Sequence, residues 1–370
     1  MPEVKLQTKS FAEAFSRVSS VCPARTTMPM LKSVLFQFTQ DGGTLIASDS
    51  EIGIRGTLTN IQASESGECL LPVDRMSSIL GAVVDDLITI KITDAKLEIK
   101  CGYSKFNLGA EDPKGFSPVT CFNDQLPHRT VPSAKLRDMI TKTVFAVDQS
   151  AQRHATQGLC VEDNGAMLTI FATDKRRIAV IGCDMGSTGP LTREGKYPIL
   201  PPKALLAVNR FLGDEGEVSF VQNENQSLFR YGNYTLVTQH IVGIFPNCRK
   251  IIPSERLPLT IEMVSSSLMA TLKQAMVMTN AESCGVKFQF ANGNLKIDSV
   301  ANGVGDSAVE MPISYSGADI TIALNPAFIV EYLKAIGVGV PFTWEMSHDP
   351  DNLVQLRCGD YIYCVAPFNV

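Results

Sequence analysis

The chain is 370 residues long, 45% hydrophobic and 19% charged, with a net charge of −5. That length accommodates two or three domains, and that hydrophobic content excludes a disordered chain. Apolar runs such as Leu205-Leu206-Ala207-Val208 stay far below the roughly 18 residues of a membrane span, and the N-terminus lacks the basic and apolar segments of a signal peptide, so a cytoplasmic protein is expected.

The predicted elements come round three times in one order, at spacings of 125–130 residues. In the first pass, Ser10 and Glu13 have capping-box spacing, and Phe11, Phe15 and Val18 form an apolar stripe. Together they predict a helix over 9–22. Gly43–Asp49 alternates as a half-buried strand that runs into a polar turn. Leu71-Pro72 opens a second helix, 72–84, carrying Met76, Ile79 and Leu80, with Gly81 closing it. Cys101-Gly102 turns a hairpin that leads to Phe106, with Pro118 beyond.

The second pass repeats these signals. Ser133 opens a helix over 132–146 with Leu136, Ile140 and Val144, and Ala166–Asp174 is the strand. Pro201-Pro202 opens 201–212 with Leu205, Leu206 and Val208, Gly213 closes it, and Tyr231-Gly232 leads to Leu236 and Pro246. In the third pass Ser266 precedes a helix over 263–279 with Leu268, Leu272 and Met276, and Asn294–Asp298 is a weaker strand. Asn325-Pro326 opens 325–337 with Phe328, Ile329 and Leu333, Gly337 closes it, and Cys358-Gly359 leads to Tyr363 and Pro367. The repeat predicts an α+β chain of three tandem domains, 1–126, 127–254 and 255–370, each with two helices and several short strands. No βαβ crossover with a glycine-rich phosphate loop is present, which disfavours a doubly wound sheet.

Charge is sorted along the chain. The six predicted helices hold ten basic and four acidic residues, net +6, which leaves −11 for the remainder of a chain totalling −5. Basic helices on an acidic body suit contact with a phosphate backbone, which needs Lys and Arg near phosphates and no base-reading side chains. Helices that merely decorate a solvated face are the plain alternative. The helices lack aromatic side chains placed to stack on single-stranded bases, which favours a duplex.

Catalytic patterns are missing. There is no phosphate-binding loop, no nucleophile elbow and no zinc-protease motif. The ten cysteines show no CxxC pair and His128, His154, His240 and His348 are isolated, so reduced buried thiols and no metal or cofactor are expected. Asp174-Lys175-Arg176-Arg177 forms a small basic patch between a strand and the apolar Ile178-Ala-Val180.

The repeat order and several local stretches resemble the bacterial DNA sliding clamp, the beta subunit of DNA polymerase III. They are Arg25-Thr-Thr-Met-Pro-Met-Leu31, Ala172-Thr-Asp-Lys-Arg-Arg-Ile-Ala179, Gly243-Ile-Phe-Pro-Asn247, Ser314-Tyr-Ser-Gly317 and Val365-Ala-Pro-Phe368, in order along the whole chain. The resemblance implies three DNA-clamp domains of two helices and two antiparallel sheets each. It also implies a head-to-tail homodimeric ring and a non-catalytic processivity role in replication and repair. Twelve helices side by side at about 9 Å give a circle near 35 Å across, and a hole of about 25 Å once one helix width is removed. Such a hole admits a duplex without gripping it.

The residues that the resemblance assigns fall into three groups. Arg25, Lys9, Arg17, Arg75, Lys135, Arg137, Lys142, Lys203, Arg210 and Lys273 would face duplex DNA. Phe106 and Leu108 on an edge strand would meet Val277 and Met278 on a helix of the second copy. A pocket for short peptides of the polymerase alpha subunit, the clamp loader and repair proteins would be built from Thr156, Thr173, Lys175, Arg176, Arg177, Ile178, Pro246, Ile251, Asn325, Phe328, Leu353, Cys364, Ala366, Pro367 and Phe368. In it, Arg177 and Asn325 would be the polar anchors. Thr156 replaces an aliphatic residue of the family, Lys175 a small one and Ser283 an aromatic, and the terminus reads Phe-Asn-Val. These departures imply a changed peptide preference. A diverged scaffold that forms the ring without serving the replicative polymerase, and an enzyme on a repeat fold, are the competing readings.

Overall fold

In chain order the first stretch holds β1 (Glu3–Gln7), α1 (Thr8–Ser19), β2 (Ser33–Phe38), β3 (Gly43–Ser48), β4 (Ile52–Leu58), β5 (Gln62–Ala63), β6 (Gly67–Pro72), α2 (Val73–Ala82), β7 (Leu87–Ile92), β8 (Lys96–Cys101) and β9 (Ser104–Gly109). The second holds β10 (Arg129–Pro132), α3 (Ser133–Thr143), β11 (Leu159–Asp163), β12 (Met167–Thr173), β13 (Arg177–Asp184), β14 (Ile199–Leu200), α4 (Pro202–Phe211), β15 (Glu217–Gln222), β16 (Gln226–Tyr231) and β17 (Tyr234–Gln239). The third holds β18 (Leu259–Val264), α5 (Ser265–Ala275), β19 (Val286–Ala291), β20 (Asn294–Ala301), β21 (Gly305–Pro312), β22 (Ile320–Leu324), α6 (Pro326–Ile336), β23 (Pro341–Met346), β24 (Val354–Cys358) and β25 (Tyr361–Val365). These come from a computed structural model that describes residues 1–93, 96–150, 155–186, 197–278, 285–301 and 305–368. His154, Ser283, Cys284 and the final Asn369-Val370 lie outside the described residues.

Two compact units form, Met1–Leu136 with Lys203–His240, and Arg137–Pro202 with Ile241–Val370. The first unit has a five-stranded sheet, β5-β1-β7-β8-β9, and an eight-stranded sheet, β10-β15-β16-β17-β4-β3-β2-β6. The second has an eight-stranded sheet, β14-β11-β12-β13-β25-β24-β23-β18, and a four-stranded sheet, β21-β20-β19-β22. Each eight-stranded sheet therefore draws its strands from two of the sequence repeats. In the first unit the seam is β17 on β4, with Tyr234 opposite Gly56. A side chain on Gly56 would stand 2.9 Å from the Tyr234 ring, so glycine is what lets the ring lie flat there. Arg17 covers the same ring from α1, 5.3 Å from its centroid.

Alternation decides which strands the sequence shows clearly. β8 and β19 bury every second residue, as strands with one wet face must. β12 and β13 are buried along almost their whole length because both faces are covered. The first unit's core is built on Phe11 and Phe15 of α1 packed with Phe36, and α1 lies beside α2. In the second unit Trp344 packs between Phe288 and Phe290, and Tyr332 of α6 stacks on Tyr361 and Tyr363. Removing one such ring costs about 3–5 kcal/mol.

The threefold repeat is repeated in bond detail. The first residue of α1, α3 and α5 donates its backbone N–H to a carbonyl in the loop after the following helix. The pairs are Thr8 to Asp86, Ser133 to Gly216 and Ser265 to Val340, at 2.8, 2.9 and 3.0 Å. Ser133 and Ser265 also donate their hydroxyls to Gly213 and Gly337 carbonyls, at 2.6 and 2.7 Å. The hairpin glycines Gly102, Gly232 and Gly359 share one left-handed conformation, φ 55°, 55° and 56°.

Some sequence expectations are corrected. α1 starts at Thr8 with Gln7 as its cap residue and no side-chain cap bond, so Ser10 and Glu13 lie inside the helix and form no capping box. Gly81 lies within α2, whose cap residue is Val83, and Gly213 is absent from the positive-φ glycines; of the three closing glycines only Gly337 takes φ +95°. The long forms of the third and fifth predicted helices tighten into 3-10 turns at Val144–Ala146 and Met276–Met278.

Candidate functional site

The β12–β13 hairpin of the second unit ends in the turn Asp174-Lys175-Arg176. Thr173 Oγ1 donates to the Arg177 carbonyl (2.6 Å) and accepts from the Lys175 N–H (3.1 Å). Asp174 Oδ1 accepts from the N–H groups of Arg176 and Arg177, at 3.0 and 3.1 Å. This small polar cage holds Lys175 at φ +75°, the left-handed region that favours glycine. On the far side, β25 pairs with β13, and the Ala366 N–H donates to the Arg176 carbonyl (2.8 Å), which carries the ladder past the strand end.

Between these segments lies a cleft of about 160 Å³. Ile178, Cys248 and Cys364 are buried and form its floor, with Thr173 and Arg177 beside them. Pro246, Ile251, Leu353 and Ala366 form the walls, and the exposed Lys175 and Arg176 stand at the mouth. Ile251 is 49% exposed, a large apolar side chain facing water. Burial pushes the Cys248 thiol up to about 11 and the Cys364 thiol up to about 12, so both are neutral and behave as small apolar groups. A wider groove of about 790 Å³ in the first unit, beside Gln37, Arg55 and Glu68, is an open trough lined largely by turn and strand-end residues and has no comparable apolar floor.

Ten of the residues expected in a pocket line the cleft: Thr173, Lys175, Arg176, Arg177, Ile178, Pro246, Ile251, Leu353, Cys364 and Ala366. Cys248 lines it too and was not foreseen. It sits on a 3-10 turn (Cys248–Lys250), where no periodic pattern marks a residue as inward. Five expected residues are not among the lining. Thr156 is buried and donates to Asp148 Oδ2 at 3.2 Å. Phe328 lies against the Arg177 guanidinium, 4.3 Å from centroid to Cζ. Pro367 is half-buried, and the Phe368 N–H donates to the Ala323 carbonyl at 2.8 Å.

The two expected polar anchors are both engaged within the chain. Asn325 caps α6, its Oδ1 accepting from the Ala327 N–H at 3.0 Å. Arg177 is only 6% exposed. Its Nε donates to Asp174 (2.9 Å), its Nη1 to Glu331 and to the Tyr363 hydroxyl (3.3 Å), and its Nη2 to the Phe145 carbonyl (2.9 Å). A guanidinium so engaged shapes the cleft wall and has little left to offer a ligand.

The basic residues are placed as follows. Lys9 and Arg17 on α1, Arg75 on α2, Lys203 and Arg210 on α4, Lys273 on α5 and Arg25 in the segment after α1 are all exposed. Lys135, Arg137 and Lys142 on α3 are half-buried. Lys142 pairs with Asp138 at 2.8 Å and Lys203 pairs with Asp49. Phe106 and Leu108 are half-buried on β9, which among the described residues pairs only with β8. Val277, 70% exposed, and Met278 sit on the 3-10 turn after α5 and not on the regular helix. β21 is an edge strand of the four-stranded sheet, and its exposed and half-buried residues alternate.

Family models for the DNA polymerase III beta subunit match in sequence: its N-terminal domain over residues 3–119, its central domain over 130–247 and its C-terminal domain over 249–343. The beta sliding clamp of Pseudomonas aeruginosa is 26% identical over 99% of both chains. That of Chlamydia pneumoniae is 27% identical over 93% of this chain and 89% of its own. Among solved structures, a sliding clamp (DNA polymerase III subunit beta) from Pseudomonas aeruginosa bound to griselimycin has a TM-score of 0.91 at 24% identity, covering 100% of both chains. The DNA polymerase III beta subunit of Thermotoga maritima has a TM-score of 0.90 at 20% identity, again over 100% of both.

Proposed function

The chain belongs to the DNA polymerase III beta subunit family and is a non-catalytic DNA sliding clamp of the replication machinery, and from that premise we propose how its residues divide the work. Three clamp domains, 1–126, 127–254 and 255–370, form one half of a head-to-tail dimeric ring. Two of the edge strands support this closure. β9 in one copy and β21 in the other each present unpaired backbone groups that a partner strand would satisfy, and Phe106 and Leu108 would bury against Val277 and Met278. The exposed Lys9, Arg17, Arg25, Arg75, Lys203, Arg210 and Lys273 act on duplex phosphates, with the half-buried Lys135, Arg137 and Lys142 adding charge from closer to the core. Contact of this kind is independent of sequence and has little register preference, so the ring slides. No helix among the described residues is long and apolar enough to cross a membrane, in keeping with a cytoplasmic protein.

Peptides of the polymerase alpha subunit, the clamp loader and repair proteins enter the cleft beside the β12–β13 turn. The observation that carries this is an apolar floor with an exposed apolar wall, which water leaves readily when side chains such as Leu and Phe enter. The experiment titrates fluorescent Gln-Leu-Ser-Leu-Phe against the native protein and against a Pro246→Asp, Ile251→Asp variant. Saturable binding by the native protein and its loss in the variant is the expected result. Equal binding by both would move the partner site elsewhere.

A further inference from the structure

We infer that the first unit holds a second peptide site, built like the cleft and closed by the chain's own residues 116–122, an inference that rests on the reading of the cleft as a peptide site. The β3–β4 turn reproduces the β12–β13 turn. Ser48 Oγ donates to the Ile52 carbonyl (3.2 Å), shared with that of Asp49 (2.8 Å), as Thr173 Oγ1 donates to the Arg177 carbonyl. Asp49 Oδ1 accepts from the Glu51 and Ile52 N–H groups, both at 2.7 Å, as Asp174 does from Arg176 and Arg177. The Gln239 N–H donates to the Glu51 carbonyl (2.9 Å), as the Ala366 N–H does to the Arg176 carbonyl. The strand register agrees too, for Val237 pairs with Gly53 where Cys364 pairs with Ile178.

The floor differs. Gly53 stands where the cleft has Ile178, and Val119 comes down on it: the first carbon of a side chain on Gly53 would lie 2.7 Å from Val119 Cγ2. Val119 is buried in a cluster with Leu35, Ile46, Leu70, Leu228 and Val237, against which Phe116 and Phe122 also pack. Arg230 covers the Phe122 ring, 4.7 Å from its centroid. Between these three anchors Ser117, Pro118, Thr120 and Cys121 are exposed. Among the described residues no hydrogen bond ties residues 117–121 to the sheet. Side chains hold the segment, which is how a short apolar peptide would be held in the cleft. A tethered occupant competes at an effective concentration of roughly millimolar, so the site is closed by default. A free peptide meets only the fraction of chains in which the segment has lifted.

The test starts from the Pro246→Asp, Ile251→Asp chain, whose cleft is blocked, and adds Phe116→Ser and Phe122→Ser to loosen the segment. Fluorescent Gln-Leu-Ser-Leu-Phe should bind the loosened chain saturably, one per chain, and about tenfold or more tighter than the blocked chain that keeps both rings. An unlabelled peptide of residues 115–123 with Cys121→Ser should compete for that site. A second measurement leaves the segment's sequence intact. Millimolar Gln-Leu-Ser-Leu-Phe should speed tryptic cleavage after the exposed Lys114 in the blocked chain, because displacement frees the segment. A loosened chain that unfolds cooperatively and binds no peptide overturns the second site and leaves the cleft reading standing. If the loosened chain does not fold, an unchanged cleavage rate overturns the second site and a faster one supports it. No binding by the native chain overturns the cleft reading and this inference with it.

Discussion

Arg177 joins parts of the chain that the sequence keeps far apart. Its partners include Glu331 and Tyr363, 154 and 186 positions away, and its guanidinium lies over the Phe328 ring. Replacing it with methionine keeps much of the volume and strips Asp174 and Glu331 of their counter-charge. Carboxylates left beside a buried wall cost about 3 kcal/mol. The Arg177→Met variant should therefore unfold at a lower urea concentration and lose peptide binding because the turn beside the cleft loosens. An unchanged unfolding midpoint would mean that water satisfies both carboxylates and that the guanidinium is a bystander. Lysine is no substitute here, since a single ammonium cannot fork to a carboxylate, a carboxylate and a carbonyl at once.

β9 is a strand with one partner. Its inner neighbour β8 supplies Glu98, which bonds Lys105 of β9 at 2.7 Å and Lys100 at 3.0 Å, and those bonds hold the Glu98 carboxyl down near 2. The outer edge of β9 has no strand partner among the described residues. Changing Leu108 to lysine puts a charge where a second copy would bury an apolar group, a device that edge strands use against pairing. For the proposed dimer of twice 40.2 kDa, sedimentation should shift toward the single chain, with the fold intact by circular dichroism. A persistent dimer would place the closure on another edge. The elements themselves were largely legible. Prolines and apolar stripes marked all six helices, because the missing N–H of proline and a 3.6-residue stripe are local properties. The start of α1 was not, because a bond from Thr8 to the distant Asp86 sets it, and a Ser–Glu spacing inside a helix looks the same as a cap. The residues lining the cleft were named through the family resemblance of the turn sequence and the terminal strand, and ten of them do line it. The inward commitment of Arg177 was not legible, since it depends on Glu331 and Tyr363, which folding brings in from far along the chain.

At the scale of the whole chain, the unit of repetition and the unit of folding differ. Each repeat gives strands to an eight-stranded sheet that it shares with a neighbour, so a cut at residue 126 would strip β4 of β17 and leave five consecutive backbone pairings open. Basic helices and an acidic remainder, net +6 against −11 by the sequence bounds, are shared unequally: the helices of the second repeat carry +4 and those of the first and third +1 each. The second unit offers a different way to cut. Every segment that walls the cleft belongs to it, and where it is interrupted the Ile241 N–H already donates to the Ile199 carbonyl at 2.8 Å. Residues 137–202 and 241–370 could thus be spliced by a linker of about four residues, each spanning up to roughly 3.5 Å. Such a spliced protein would be a bench reagent, a clamp that cannot encircle anything and still bids for the same peptides. In an extract it should compete the labelled pentapeptide away from the full chain with an affinity within about threefold of the native value. If it folds and fails to compete, the cleft needs support from outside its own unit.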